Sequence, residues 1–297
     1  MRPVNVQSTL LALSAPRLSN YTSYFNVKDD HDLYSCYQWN NEASRSFLSL
    51  IHLIEVSLRN AYHRELSTYY SNNISGKVIK SFPWYDHANL KGKSLSEIKK
   101  ATAKTNRPDD VISRQTFGFW VNLPDTKGVP WDLIHKNIFP NIQRNWSKDQ
   151  NKHWLYARMK MINDLRNRIS HWEPIWKLGP LNEESRPRPG KAALTVLQPP
   201  TSNPKESLVR LMSYYDRMRS ILSGIDSDLA MTYDDSYAHK AISWICSEQG
   251  LATYRSNKKN IEIPLHEVKK QLNKVVKDKQ HVTITVKGRP LAVVHPL

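Results

Sequence analysis

The segment Arg166-Asn167-Arg168-Ile169-Ser170-His171 carries the most specific chemical pattern in the chain. An arginine and a histidine with four residues between them, close to a helix end, suit the cutting of RNA by attack of a ribose 2′-hydroxyl on its own 3′-phosphate. Histidine titrates near neutral pH and can take or give the proton. Arginine stays charged and offers a planar fork of donors to the phosphate oxygens, where negative charge grows in the transition state. Asn167 can orient either group or hold a phosphate oxygen, and no metal is required. The same residue types also suit a structural role, because cations near a helix C-terminus complement the macrodipole and cap its last carbonyls.

These side chains need a helix to hold them. Leu155, Met159, Ile162, Leu165 and Ile169 recur at steps of three and four, the stripe of an amphipathic helix over about 149–171. Pro174 lacks an amide donor and drives the residue before it out of the helical region, so His171 is expected in or just past the last turn. Five steps of about 100° set His171 roughly 140° from Arg166. The two converge only if that turn loosens or a second subunit helps. Lys152, Arg158, Lys160, Arg166 and Arg168 form a positive stripe on the same helix. Such a stripe is ordinarily a solvated face; beside a phosphate-handling pair it reads as an RNA track through Arg158, Lys160 and Arg168. Trp154, Trp172 and Trp176 flank the segment and are candidates for stacking on unpaired bases.

The segment resembles the Arg-Asn-x-x-x-His signature of HEPN ribonucleases, and within them the Abi-like (abortive infection) proteins. Two further stretches are similar to that family: Tyr37-Gln38-Trp39-Asn40, leading through Phe47 into Leu53–Ala61, to its first long helix, and Phe117-Gly118-Phe119-Trp120 to its central aromatic turn. The likeness spans about residues 20–255. It implies a HEPN-like helical bundle, usually dimeric, that acts as a metal-independent endoribonuclease in phage defence or as the toxin of a toxin-antitoxin pair. Arg166 and His171 match the catalytic pair and Asn167 the polar position after the arginine. Some HEPN domains bind RNA without cutting it, and that reading stays open. Glu55 and Arg59, four apart with Asn60 beside them, are either an ion pair on a helix face or a clamp on the catalytic helix.

Composition agrees with an anionic partner. The 297 residues carry 43 Lys and Arg against 27 Asp and Glu, a net charge of +16, and nucleic acid is the first expectation. No stretch is long and apolar enough for a spanning helix and Met1-Arg2-Pro3-Val4 opens no apolar signal core, so no membrane association and a cytoplasmic location are expected. Cys36 and Cys246 are too few for a disulfide framework, and the 11 histidines are scattered singly. Neither metal nor cofactor is expected.

The fold expectation is mainly α. A long helix is expected near 42–70, Ser94-Leu95-Ser96-Glu97 reads as a capping box opening a short basic helix, and residues 178–204 form a Pro-rich excursion. Helical spacing resumes through Leu208, Leu211, Met212, Tyr215, Met218 and Ile221, and a further helix near 236–249 is expected to stop at Gly250. The first domain is set at 1–255. Residues 256–297 form a small basic α+β tail: a strand through Ile261 and Ile263, a helix over 265–276, and a hairpin turning about Lys287-Gly288-Arg289. This unit resembles the N-terminal domain of Phd/YefM-type antitoxins, which implies dimerisation or operator DNA binding; a packing appendage is the plain alternative. A regulatory partner or antitoxin is a further expectation, and a DNA-binding regulator acting through 256–297 is the third functional reading.

Overall fold

A computed structural model describes residues 3–188, 190, 192–256, 261–264, 267–268, 270, 282–286 and 289–294. Among them helices dominate: α1 Val6–Leu13, α2 Ala15–Tyr24, α3 Asp30–Ser75, α4 Gly92–Thr102, α5 Pro108–Ser113, α6 Phe117–Asn122, α7 Trp131–Ile138, α8 Asp149–Ser170, α9 Pro204–Ile225, α10 Ser227–Asp234, α11 Tyr237–Ile245 and α12 Glu248–Arg255. The fold is mainly α, as the sequence patterns predict. No helix of the described residues is long and apolar enough to cross a membrane.

Helix α3 shows why. Cys36, Trp39, Ala43, Phe47, Leu50, Ile54, Leu58, Ala61 and Leu66 are all buried at steps of three to five. This is an apolar stripe from Cys36 to Leu66 within a helix of 46 residues, about 69 Å long at the usual rise. Asp30 and Asp32 stand in its first turn, where they oppose the positive end of the helix dipole. Gly76 follows its last residue at φ +66, a left-handed conformation that costs glycine little, and its N–H returns to Asn72 O at 2.9 Å. The helix starts twelve residues before the expected 42, because Tyr34, Tyr37 and Trp39 extend the stripe towards the N-terminus.

The chain forms two compact units, Met1–Arg45 with Thr201–Met212 and Lys240–Leu297, and Ser46–Pro200 with Ser213–His239. In the first, Trp39 Nε1 donates to Ile245 O at 2.8 Å, and Arg255 grips the buried Asp32 carboxylate through Nε and Nη2 at 2.7 and 2.6 Å. That guanidinium holds the Asp32 carboxyl below its ordinary pKa. Gly250 is not a helix stop. It lies in the first turn of α12, whose N-cap Ser247 accepts from the Gly250 N–H at 2.9 Å. A Cβ at this position would stand 1.9 Å from Trp244 O, so a backbone approach rather than a termination demands glycine. In the tail, β3 Ile261–Pro264 pairs parallel with β4 Val282–Val286, which pairs antiparallel with β5 Arg289–Val294. The expected strand and hairpin are thus present; the helix expected at 265–276 falls largely outside the described residues. The boundary expected at 255/256 falls inside this unit.

The second unit holds α4 to α8, α10 and the short antiparallel pair β1 Leu181–Asn182 and β2 Val196–Gln198 within the Pro-rich excursion. Its interior is aromatic, with Phe47, Trp84, Phe117, Trp120, Phe139 and Trp176 fully buried. The aromatic run at 117–120 forms α6, which packs against α8. The capping box at Ser94 does not form. Helix α4 begins two residues earlier at Gly92, so Ser94 is already inside it and the N-cap position falls to Lys91, which makes no side-chain cap bond.

Candidate active site at the end of helix α8

Helix α8 buries Leu155, Met159, Ile162, Leu165 and Ile169, the stripe expected from spacing. Its C-terminus is closed by backbone bonds. His171 N–H donates to Asn167 O at 3.0 Å, Trp172 N–H to Ile169 O at 3.1 Å and Glu173 N–H to Arg168 O at 2.8 Å. The last two bonds form a Schellman motif, which requires its penultimate residue to be left-handed. Trp172 holds that place at φ +56, where glycine ordinarily sits.

The last turn therefore does not loosen. The amide of His171 still bonds four residues back, so its Cβ direction stays about 140° from that of Arg166. Arg166 flanks the buried stripe, half-buried, with its Nε 3.7 Å from Glu55 Oε2 on α3. His171 is exposed and continues the row of Lys160, Asp164 and Arg168. Among the described residues its imidazole makes no hydrogen bond or ion pair, and the exposed Asn167 side chain makes none either. The structure brings Glu55 to Arg166, not to Arg59; Arg59 Nε donates instead to Asn60 Oδ1 at 3.3 Å.

The expected RNA track is placed differently along its length. Arg158 is only 14% exposed in its side chain and lies 2.5 Å from Glu184, which also meets Arg217 at 3.1 Å. Burial beside one carboxylate shared by two guanidiniums makes it a core ion pair, not a surface contact for RNA. Arg168 donates to the carbonyls of Pro174 and Lys177 at 3.1 and 2.5 Å, fastening the chain as it leaves the helix. Lys160 is exposed and paired with Asp164 at 2.5 Å. Of the three flanking tryptophans, Trp154 and Trp176 are buried, and Trp172 is 65% exposed. A cavity of about 370 Å³ lies along the Lys160, Asp164 and Arg168 face and is lined also by Leu181, Glu184 and Arg217. Glu184 and Arg217 were not legible as its wall, since their partner Arg158 is distant in sequence and no local period links them. Among the described residues no group of three His, Cys, Asp or Glu side chains is placed to hold a metal ion.

No protein-family model, no curated protein and no solved structure matches the chain.

Proposed function

We propose that the chain is an endoribonuclease of the HEPN, Abi-like kind that works without metal, with Arg166 binding the phosphate, His171 moving the proton and Asn167 orienting the scissile group. One observation carries the reading: His171 stands exposed and unengaged on a rigidly capped helix end, while Glu55 tethers Arg166 on another face of the same helix. In the reaction the imidazole removes the 2′-hydroxyl proton as the O2′–P bond forms. The P–O5′ bond breaks and the departing oxygen takes that proton back, leaving a 2′,3′-cyclic phosphate and a 5′-hydroxyl. The guanidinium neutralises charge on the phosphoryl oxygens as the five-coordinate state develops.

Because the two side chains diverge within one protomer, the cleft is a dimer's, with the arginine from one chain and the histidine from the other. Trp172 and Lys160 contact the RNA beside it. On this reading the protein acts in the cytoplasm as an abortive-infection effector or toxin, restrained by an antitoxin or other regulatory partner, and residues 256–297 serve dimerisation or DNA binding. The test is complementation in metal-free buffer. Arg166→Ala and His171→Ala are each inactive alone, and an equimolar mixture recovers about one quarter of wild-type cleavage, since half the dimers are mixed and each restores one of two clefts. Cleavage by either variant alone at the wild-type rate would refute the assignment.

The divergence of Arg166 and His171 also favours a second reading, an RNA-binding HEPN protein that does not cut. Labelled RNA would then shift in a gel at full length. The three-stranded sheet of the tail supports the third, a DNA-binding regulator; deletion of 256–297 would abolish operator binding.

A further inference from the structure

Over its last turns helix α3 carries four polar residues at steps of four, His63, Ser67, Ser71 and Ser75, and each of them holds the chain that returns from the helix end. Ser75 Oγ accepts from Lys77 N–H at 3.4 Å, Ser71 Oγ from Ile79 N–H at 2.9 Å and Ser67 Oγ from Phe82 N–H at 3.1 Å. At the far end of this ladder His63 Nδ1 accepts from Trp84 Nε1 at 3.0 Å. His63, Ser67 and Ser71 are buried, and Trp84 has no exposed surface. Residues 77–84 are thereby laid antiparallel along α3 as a strap, which ends in a short 3₁₀ turn over Trp84–Asp86.

Of the four rungs, His63 titrates near neutral pH. An indole N–H donates and never accepts, so His63 Nδ1 carries no proton and the neutral ring keeps its proton on Nε2. That nitrogen faces Asp109 Oδ1 at 3.2 Å and Ser81 Oγ at 3.3 Å. The tautomer excludes Ser81 as a nucleophile activated by His63, because the nitrogen beside it is a donor. A second proton enters at Nδ1, where it points at the Trp84 N–H and leaves that buried donor without an acceptor. Ser67 Oγ, 3.4 Å from the same nitrogen, already accepts from Phe82 N–H. Asp109 favours the charged ring, but its carboxylate is 65% exposed and screened by water. Burial prevails and holds His63 below the ordinary imidazole pKa. The neighbouring charges on α3 and α5 are engaged elsewhere, Arg59 with Asn60, Arg64 with Glu65 and Asp110 with Arg107. On the strap side Lys80 is exposed, Asp86 acts on Tyr85 and the His87 ring stacks on Phe82.

We propose that the strap over residues 77–86 is an acid-released latch: protonation of His63 breaks its bond to Trp84, and the strap unzips from α3 beginning at that end. Ser71 and Ser75 bind backbone N–H groups and do not titrate, so the end next to Gly76 stays in place. The released segment carries Phe82, Trp84 and Tyr85 away from α3 and opens the connection between α3 and α4. The sign follows from which state takes the proton. The latched ring binds it more weakly than the free one, so the closed form is favoured above the ordinary imidazole pKa of 6.5 and opening grows as pH falls below it. The latch draws on none of the α8 residues and does not depend on the nuclease reading.

The test is nuclear magnetic resonance on the full chain between about pH 7 and 5, following the His63 ring and the hydrogen exchange of the Phe82 amide, corrected for its intrinsic rate. The His63 signal is the one missing in His63→Asn, whose side-chain oxygen takes the place of Nδ1 as acceptor and does not titrate. Opening at Phe82 rises about tenfold over this range in the wild type and less than about twofold in His63→Asn. Trp84→Phe, which removes the indole donor, raises the proton affinity of His63 about threefold or more, and Asp109→Asn, an exposed change, lowers it. If Trp84→Phe fails to fold, the Phe82 comparison decides alone. A proton affinity of His63 indifferent to Trp84→Phe, or the same pH dependence of Phe82 exchange in the wild type and His63→Asn, overturns the proposal.

Discussion

The left-handed Trp172 sets up a comparison whose sign is diagnostic. Replacing it by Gly and by Ala removes the ring in both cases, so the difference between the two variants isolates the backbone. In an ordinary helical site Ala is the more stable by about 1 kcal/mol. At φ +56 a Cβ costs about 1–2 kcal/mol, while glycine gives back roughly 0.5–1 kcal/mol through the entropy of its unfolded chain. Trp172→Gly is therefore expected to exceed Trp172→Ala by about 0.5–1 kcal/mol, read from urea unfolding midpoints with matched slopes. Equal stability, or an advantage for Ala, would mean that the Schellman closure does not form and that His171 is not fixed where described. The same pair reports on function. If the exposed ring stacks on RNA, both variants bind RNA about fivefold or more weakly, a loss within the 1–3 kcal/mol typical of a stacked base; unchanged RNA affinity removes Trp172 from the interface. A strained tryptophan where glycine is easier is the pattern of a side chain kept for what it touches.

Two further expectations concern stability alone. Gly250→Ala should lower stability by about 1–3 kcal/mol, reversing the gain of roughly 1 kcal/mol that helix propensity predicts, because the added methyl meets the Trp244 carbonyl; a more stable variant in thermal unfolding would refute that approach. Burial holds His135 near a pKa of about 3 in the folded chain against 6.5 unfolded, so only the unfolded state gains this proton as pH falls from neutrality. Its contribution is intact above pH 6.5 and is lost progressively below it, about 2 kcal/mol between pH 7 and 5. Denaturation at both pH values should show wild type losing that much more than His135→Phe, and parallel losses would refute the assignment.

Periodicity revealed what it physically reports. The stripes of α3 and α8 were readable because one helix face is buried over successive turns, and the strand and hairpin of the tail because alternation and turn residues coincide. Local chemistry was less faithful. Ser94 has the spacing of a cap but sits inside α4, and Gly250 looks like a stop but serves a close contact, since neither pattern encodes what lies across from it. The site divides the same way. The positions of Arg166, Asn167 and His171 near a helix end follow from Pro174 and the stripe, whereas the burial of Arg158 against Glu184 depends on a segment from the Pro-rich excursion that no helical spacing announces. The packing of Tyr62 on Trp120 and His135 was equally hidden, because the three come from separate helices.

The angle between Arg166 and His171 on one uninterrupted helix also bears on dosage. If the proposed nuclease is built across two copies, its rate rises with the square of protein concentration while monomers prevail, then linearly once association saturates. On that proposal a cell carries a low standing level of the chain without harm, and a modest rise in its synthesis brings a disproportionate burst of RNA loss.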